Sequence, residues 1–318
     1  MFDVKRVVRA VRRKKFPFKF IYSDKYWMVD TKNHVFPMAK YRMIYELLLS
    51  QGAKPIDFLH PFSSPDEDLL LVHSSRYVGR VKEGRLSSSE LSVLEIPFSE
   101  ELVDFFLLMV GGTIVAAENA LEAGLSFHIG GGFHHAFIDH GEGFCVFNDV
   151  AVALEKMIIS ERIKKALVVD CDVHQGNGTA AIFRDRDYAF TFSIHQMDIY
   201  PAKKSYSSLD VGLWSGDGDE QYLEQIRRYF PPLYEKENPD LIFYLAGADP
   251  YERDQLGGLD ITSEGLQERD KIIIEGARKL GIPLVILLAG GYAYDVEDTV
   301  KVHMNTINVA RKAYRLHG

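Results

Sequence analysis

The chain has 318 residues, 47% hydrophobic and 26% charged, proportions that fit a globular protein and exclude a disordered or fibrous one. No apolar run reaches the ~18 residues of a membrane span; the richest, Val103 to Ala117, is broken by Asp104 and two glycines. The two cysteines cannot build a disulfide framework, and a net charge of −8 argues against broad nucleic-acid binding.

The first fifteen residues hold seven Lys or Arg against Asp3, a net of +6, so the rest of the chain carries −14. Val4, Val7, Val8 and Val11 follow helical spacing, which predicts a basic amphipathic arm over residues 1–16. Such an arm suits either an anionic partner or a solvated helix lying on its own body. No secretory segment is expected at this end, and the cysteine usage points to a reducing, cytoplasmic setting.

Beyond the arm, short apolar runs alternate with helical patterns. Phe18 to Tyr22, Ser126 to Gly130, Ala166 to Val169, Tyr188 to Ile194, Leu241 to Ala246 and Pro283 to Ala289 read as strands covered on both faces. Helices are expected over Ala39 to Gln51, with Gly52 as C-terminal stop, and over Ser99 to Ala123, with a Gly-Gly interruption. Others are expected from Asp149 to Ile159, from a Thr262 or Ser263 cap to Gly281, and from Val296 to Leu316. This alternation predicts a single α/β domain, residues 17–318, built on a mainly parallel β-sheet with helices on both faces.

Polar clusters follow the ends of the apolar runs: Gly130 to His135, Asp170 to His174, Ser193 to His195, Gly247 to Asp249, and Gly290 to Tyr292. Ligands of open α/β sheets bind outside the carboxyl ends of the strands, so these distant segments should meet in one crevice.

In Asp170-Cys171-Asp172-Val173-His174, an extended backbone would point residues 170, 172 and 174 to one side. Two carboxylates and an imidazole so placed need a cation or hydrogen bonds; alone, the run also reads as a helix cap with a paired histidine. Asp249, at another strand end, completes an N, O set with Asp172 and His174 that leaves one position open, as catalytic Zn2+ sites do. Fe2+ and Co2+ suit the same donors.

Gly130 to Gly132 allow a tight turn before His134 and His135, a candidate acid–base pair beside such a metal, with Asp170 and Asn177 as partners that orient the rings. Tyr292, after Gly290 and Gly291, offers a phenol to a developing oxyanion. Gly143-Phe144-Cys145 and Tyr200-Pro201 supply aromatics that read equally as an apolar channel or as core.

Taken together, these segments resemble the histone deacetylase superfamily, within the arginase-deacetylase fold, in order and spacing from roughly residue 20 to 315. Ile199-Tyr200-Pro201, Asp254-Gln255-Leu256-Gly257-Gly258-Leu259 and Asn33-His34-Val35-Phe36-Pro37 are similar to the class IV branch and its bacterial relatives, whereas Asn177 stands where class I enzymes hold Asp. The resemblance implies zinc on Asp172, His174 and Asp249, His135 as general base and then proton donor, and His134 paired with Asp170 in an electrostatic role. It implies Tyr292 as carbonyl polariser and Gly143, Phe144, Tyr200 and Gly291 around the acylated side chain. Glu95 would hold the substrate backbone, and a structural K+ would sit near Asp170, Asp172, His174, Ser193 and Ile194.

The activity so implied is metal-dependent hydrolysis of N-acyl-lysine in a protein or peptide, with acetyl and longer acyl groups both open. Acylated polyamines or other small acylamines are the alternative substrates, and a homo-oligomer is compatible with either. A binuclear manganese ureohydrolase of the same fold is disfavoured, because Gly176 follows His174 by two residues and Asp249 precedes Pro250 and Tyr251 rather than a second acid two residues on. A non-catalytic scaffold is disfavoured because no ligand, and not the tyrosine, is lost.

Overall fold

Continuous apolar runs become strands buried on both faces, and the computed structural model, which describes residues 16–315, shows this at the centre of one eight-stranded sheet. The strands are β1 (Lys19–Ile21), β2 (Phe58–Leu59), β3 (Leu125–His128), β4 (Ala166–Asp170), β5 (Ala189–Gln196), β6 (Leu209–Leu213), β7 (Leu241–Leu245) and β8 (Leu284–Leu287). Every pairing between them is parallel, in the order β2-β1-β3-β8-β7-β4-β5-β6. All residues of β3, β4, β7 and β8 are buried. The expected basic arm lies outside the described residues, except for Phe16, which is buried against Phe18 and Phe20.

The helices are α1 (Ala39–Ser50), α2 (Asp66–Leu69), α3 (Ser75–Lys82), α4 (Ser88–Leu94), α5 (Glu100–Ala123), α6 (Asp149–Ile159), α7 (Asn177–Phe183), α8 (Asp219–Tyr229), α9 (Pro232–Glu237), α10 (Ser263–Leu280) and α11 (Val296–Ala313). They form two packed groups, α5 with α6, and α10 with α11, α1 and α8. No described helix is long and apolar enough to cross a membrane. Side-chain caps fix the starts of the long ones: Ser99 Oγ accepts from Leu102 N–H, Asn148 Oδ1 from Ala151 N–H and Thr262 Oγ1 from Gly265 N–H. Each such cap contributes about 1 kcal/mol. The last helix ends at Ala313 rather than running to Leu316.

The expected break at Gly111-Gly112 does not occur, and α5 runs through it. These glycines serve close approach instead. A Cβ on Gly111 would strike the Phe62 carbonyl, and one on Gly112 would meet the His128 ring at 2.5 Å and the Tyr26 hydroxyl at 2.6 Å.

Candidate metal centre and active site

Four adjacent strands, β3, β8, β7 and β4, deliver the candidate residues from their carboxyl ends. The loop after β3 is shaped by Gly131, at φ 73°, where a Cβ would meet Asp149 Oδ2 at 2.6 Å. Asp149 is fully buried and accepts from the N–H groups of Gly132 and Phe133 at 3.0 and 2.8 Å and from the Thr113 hydroxyl at 2.5 Å. Thr113 also meets His128 Nδ1 at 2.9 Å, and His128 Nε2 meets the Tyr26 hydroxyl at 2.8 Å. This network fixes the backbone just before His134 and His135.

The Asp170 to His174 run is not extended, contrary to the simplest reading of its alternation; β4 ends at Asp170 and residues 172–174 bend. Aspartates there bond backbone two residues on: Asp170 Oδ1 accepts from Asp172 N–H at 3.1 Å, and Asp172 Oδ1 from His174 N–H at 3.0 Å. The bend turns Asp170 toward His134 and gathers Asp172 and His174 with Asp249. One ligand atom from each of these three lies within 4.8 Å of the others, and all three residues are buried.

The donor set fits a cation. Val173 N–H donates to Asp249 Oδ1 and Gly290 N–H to Asp172 Oδ2, but among the described residues Asp249 Oδ2 accepts no hydrogen bond. Burial and the charge of Asp172 push the Asp249 carboxyl up to about 8. Burial opposes a charge on His174, yet Asp172 and Asp249 outweigh it and raise the imidazole to about 10. A cluster that holds protons this way releases them to a divalent ion. Gly290 supplies the room, since a Cβ there would collide with the carboxylates of both Asp249 and Asp172.

His134 Nδ1 lies 2.7 Å from Asp170 Oδ2, and His135 Nδ1 lies 2.7 Å from Asn177 Oδ1. The two Nε2 atoms are 3.2 Å apart. Burial disfavours charge on both rings, but Asp170 and Asp172 overcome it at His134 and lift its pKa to about 9. At His135, burial is reinforced by His134 and His174, and the ring is held well below its ordinary value. Their surroundings thus push the two rings in opposite directions, His134 toward the charged form and His135 toward the neutral one.

Tyr292 faces the same space. Its amide donates to Asp254 Oδ2 at 2.6 Å, and Gln255 Nε2 donates to its carbonyl at 2.8 Å. Burial and nearby carboxylates raise the phenol well above 10, so it remains a donor. Lys40, fully buried against the Phe36 and Tyr41 rings, donates to the Ala289 carbonyl at 2.8 Å and steadies this turn. Burial pushes its ammonium down to about 8 in spite of the nearby aspartates.

A cavity of about 220 Å3 opens over these groups, lined by Gly143, Phe144, Tyr200, Glu95, Phe36 and Leu256 among others. Phe144 sits at φ 66°, an uncommon conformation for a side chain of its size, in the turn Glu142–Cys145 that presents it. Its ring meets Tyr292 edge-on at 5.9 Å, and the Tyr200 ring meets His135 at 5.0 Å. Glu95 is exposed at the left-handed end of α4, where its carbonyl accepts from His34 Nε2 at 2.7 Å. Gly291, at φ 151°, carries Tyr292 past Thr299 and Ala248, which a Cβ would meet at 2.7 and 2.9 Å. Ser193 pairs in register with Asp170 on β5 and β4, its hydroxyl bonded to His195 Nδ1 at 2.9 Å, and Ile194 follows it.

Three contributors escaped the sequence reading. Arg269, wholly buried on α10, donates to the Gly247 carbonyl at 2.8 Å and to Asp270 at 2.9 Å, bracing the strand end that carries Asp249. Its signal was a charged pair on the face formed by Leu266, Ile273 and Ile274. Lys40 had no comparable signal. Glu142, bonded to Asn177, had none either.

The family model for the histone deacetylase domain matches residues 34–307. The chain belongs to the histone deacetylase family. That family is one of deacetylases, hydrolases that generally depend on a metal. The chain is 37% identical over 298 residues to an uncharacterised protein of Picosynechococcus, covering 93% of this chain and 99% of that one. It is 31% identical over 285 residues to histone deacetylase 2 of Arabidopsis thaliana, covering 86% and 74% respectively. Among solved structures, the HD domain of HDA15 superposes with a TM-score of 0.76 at 23% identity, over 92% of this chain and 90% of that one, a likeness of fold.

Proposed function

We propose that this histone deacetylase family member hydrolyses the amide of N-acyl-lysine in proteins or peptides. The observation that carries the reading is the convergence, around one cavity, of a buried Asp172-His174-Asp249 set, a charged and a neutral histidine, and the Tyr292 phenol. Zn2+ is the cation we assign to the three ligands, and the same donors accept Fe2+. When bound, a divalent ion of this kind acidifies water and polarises the acyl carbonyl.

The chain's own groups supply the rest. His135 Nε2 takes the proton of the attacking water and returns it to the leaving amine. His134, kept cationic by Asp170, stabilises negative charge developing beside it. Tyr292 donates to the tetrahedral oxyanion without adding charge to the site. Phe144, Tyr200 and Gly143 flank the substrate side chain and exclude water, with Gly291 setting the tyrosine, and we assign Glu95, which lines the same cavity, to the substrate backbone. Asp170, Asp172, His174, Ser193 and Ile194 remain our assignment for a structural K+, supported by the register of Asp170 with Ser193.

Purified, metal-replete protein assayed on acetyl-lysine peptides, long-acyl-lysine peptides and acetylpolyamines tests the reading. Turnover of acyl-lysine peptides is expected, and activity confined to the polyamines overturns it.

A further inference from the structure

The Asn177 side-chain amide stands between two groups: its nitrogen lies 2.5 Å from Glu142 Oε1, and its oxygen lies 2.7 Å from His135 Nδ1. Glu142 is set there by its backbone. It opens the turn Glu142–Cys145, closed by Cys145 N–H donating to the Glu142 carbonyl at 2.9 Å, with Gly143 and Phe144 both at positive φ. One turn therefore places Phe144 on the cavity wall and Glu142 on Asn177.

An amide offers a donor at one end and an acceptor at the other, and the neighbours decide which end faces where. Burial tends to raise the Glu142 carboxyl, but the nearby His140, the Asn177 amide bonded to it and the neighbouring Tyr200 outweigh it and hold the pKa below its ordinary value. An ionised carboxylate only accepts, so it draws the Asn177 NH2 group. The Gly178 N–H, 3.1 Å from the Asn177 oxygen, marks the same orientation. His135 then faces a carbonyl oxygen and must donate from Nδ1. In a neutral ring this leaves the lone pair on Nε2, the atom turned toward His134 Nε2.

We propose that Glu142 is a positioning residue of the site: acting through the Asn177 amide, it fixes His135 in the tautomer that carries its proton on Nδ1 and leaves Nε2 as the basic atom. The consequence for rate rests on the hydrolytic reading above, whereas the tautomer follows from hydrogen-bond geometry alone.

The test uses the full-length, zinc-loaded protein. Glu142→Leu removes the acceptor, and Glu142→Gln keeps an acceptor oxygen. Loss of one such hydrogen bond should lower kcat by about tenfold for the leucine variant with KM nearly unchanged, and glutamine should recover most of the loss. In an Asn177→Asp background an oxygen faces His135 whatever occupies position 142, so Glu142→Leu should no longer lower kcat there. Imidazole 15N spectra should show His135 protonated at Nδ1 in the parent protein and a population shifted toward Nε2–H in Glu142→Leu. An unchanged His135 spectrum in that variant overturns the proposal, as does an equal kcat loss in the Asn177→Asp background. If the parent protein turns over no acyl-lysine substrate, the hydrolytic reading fails, and the 15N spectra still decide the role of Glu142.

Discussion

Asp249 Oδ2 lies 3.6 Å from His174 Nδ1 and accepts no hydrogen bond from the described residues, on a side chain with no exposed surface. A buried carboxylate oxygen without a partner is strongly destabilising, and a bound cation resolves it. Asp249→Asn should therefore lose the metal while its chelator-treated form unfolds at a temperature no lower than that of the chelated parent. Elemental analysis and thermal unfolding check the two halves. A full metal complement in the variant would sink the ligand assignment.

The Tyr292 phenol is kept protonated by burial and by the carboxylates of Asp172 and Asp249 near it, and so remains a donor. Its contact should mature in the transition state, so Tyr292→Phe should reduce kcat by about 100-fold with little change in KM. Steady-state kinetics on one acyl-lysine peptide suffices. A raised KM with kcat intact would assign the residue to ground-state binding instead.

The pairing of His134 with Asp170 makes stability depend on pH. The folded pKa of about 9 lies above the ordinary histidine value, so the stabilisation is fully present below about pH 6.5 and is lost as pH rises through the folded value. Asp170→Asn removes the strongest attraction on that proton, and its unfolding free energy should fall less over this window than the parent's. Urea titrations near about pH 6 and about pH 9.5 measure the difference. Identical slopes for both proteins would refute the pairing as the source.

Arg269 and Asp270 form an ion pair with essentially no exposed surface. Arg269→Met leaves Asp270 buried with the Tyr244 and Thr306 hydroxyls as its side-chain partners among the described residues, and the expected destabilisation is about 3–5 kcal/mol. Adding Asp270→Asn should restore part of it, because the uncompensated charge is then gone. A double variant as unstable as the single one would argue that packing, not charge, sets the loss.

The sheet core was legible because β4, β7 and β8 are apolar runs, each followed by a polar cluster. The edges were not. Strand β6 reads Leu-Asp-Val-Gly-Leu, polar at alternate positions, and β2 has two residues, too few for any period. Helix α7 starts inside Gly176-Asn177-Gly178, a stretch whose composition reads as a loop. Within the candidate site, the grouping of Asp172, His174 and Asp249 was readable because a candidate ligand set is constrained in residue type and in its place after a strand end. The bend that joins them was not readable, since it depends on aspartate side chains choosing backbone partners over extension. Arg269 and Glu142 act on carbonyls and an amide contributed by distant segments, and no local spacing encodes such contacts.

Strands β7 and β8 lie in the sheet between β3 and β4, although the chain makes them last. Asp249 and Tyr292 arrive with these two late strands, which must enter the gap between segments synthesised more than a hundred residues earlier in the case of β3. During translation, then, the growing polypeptide carries its histidine pair and two of the three candidate ligands, Asp172 and His174, before the third has been made. Under the proposed reading, the cluster is complete only when the final wedge closes the sheet, which would couple the acquisition of metal to the completion of folding rather than to its beginning.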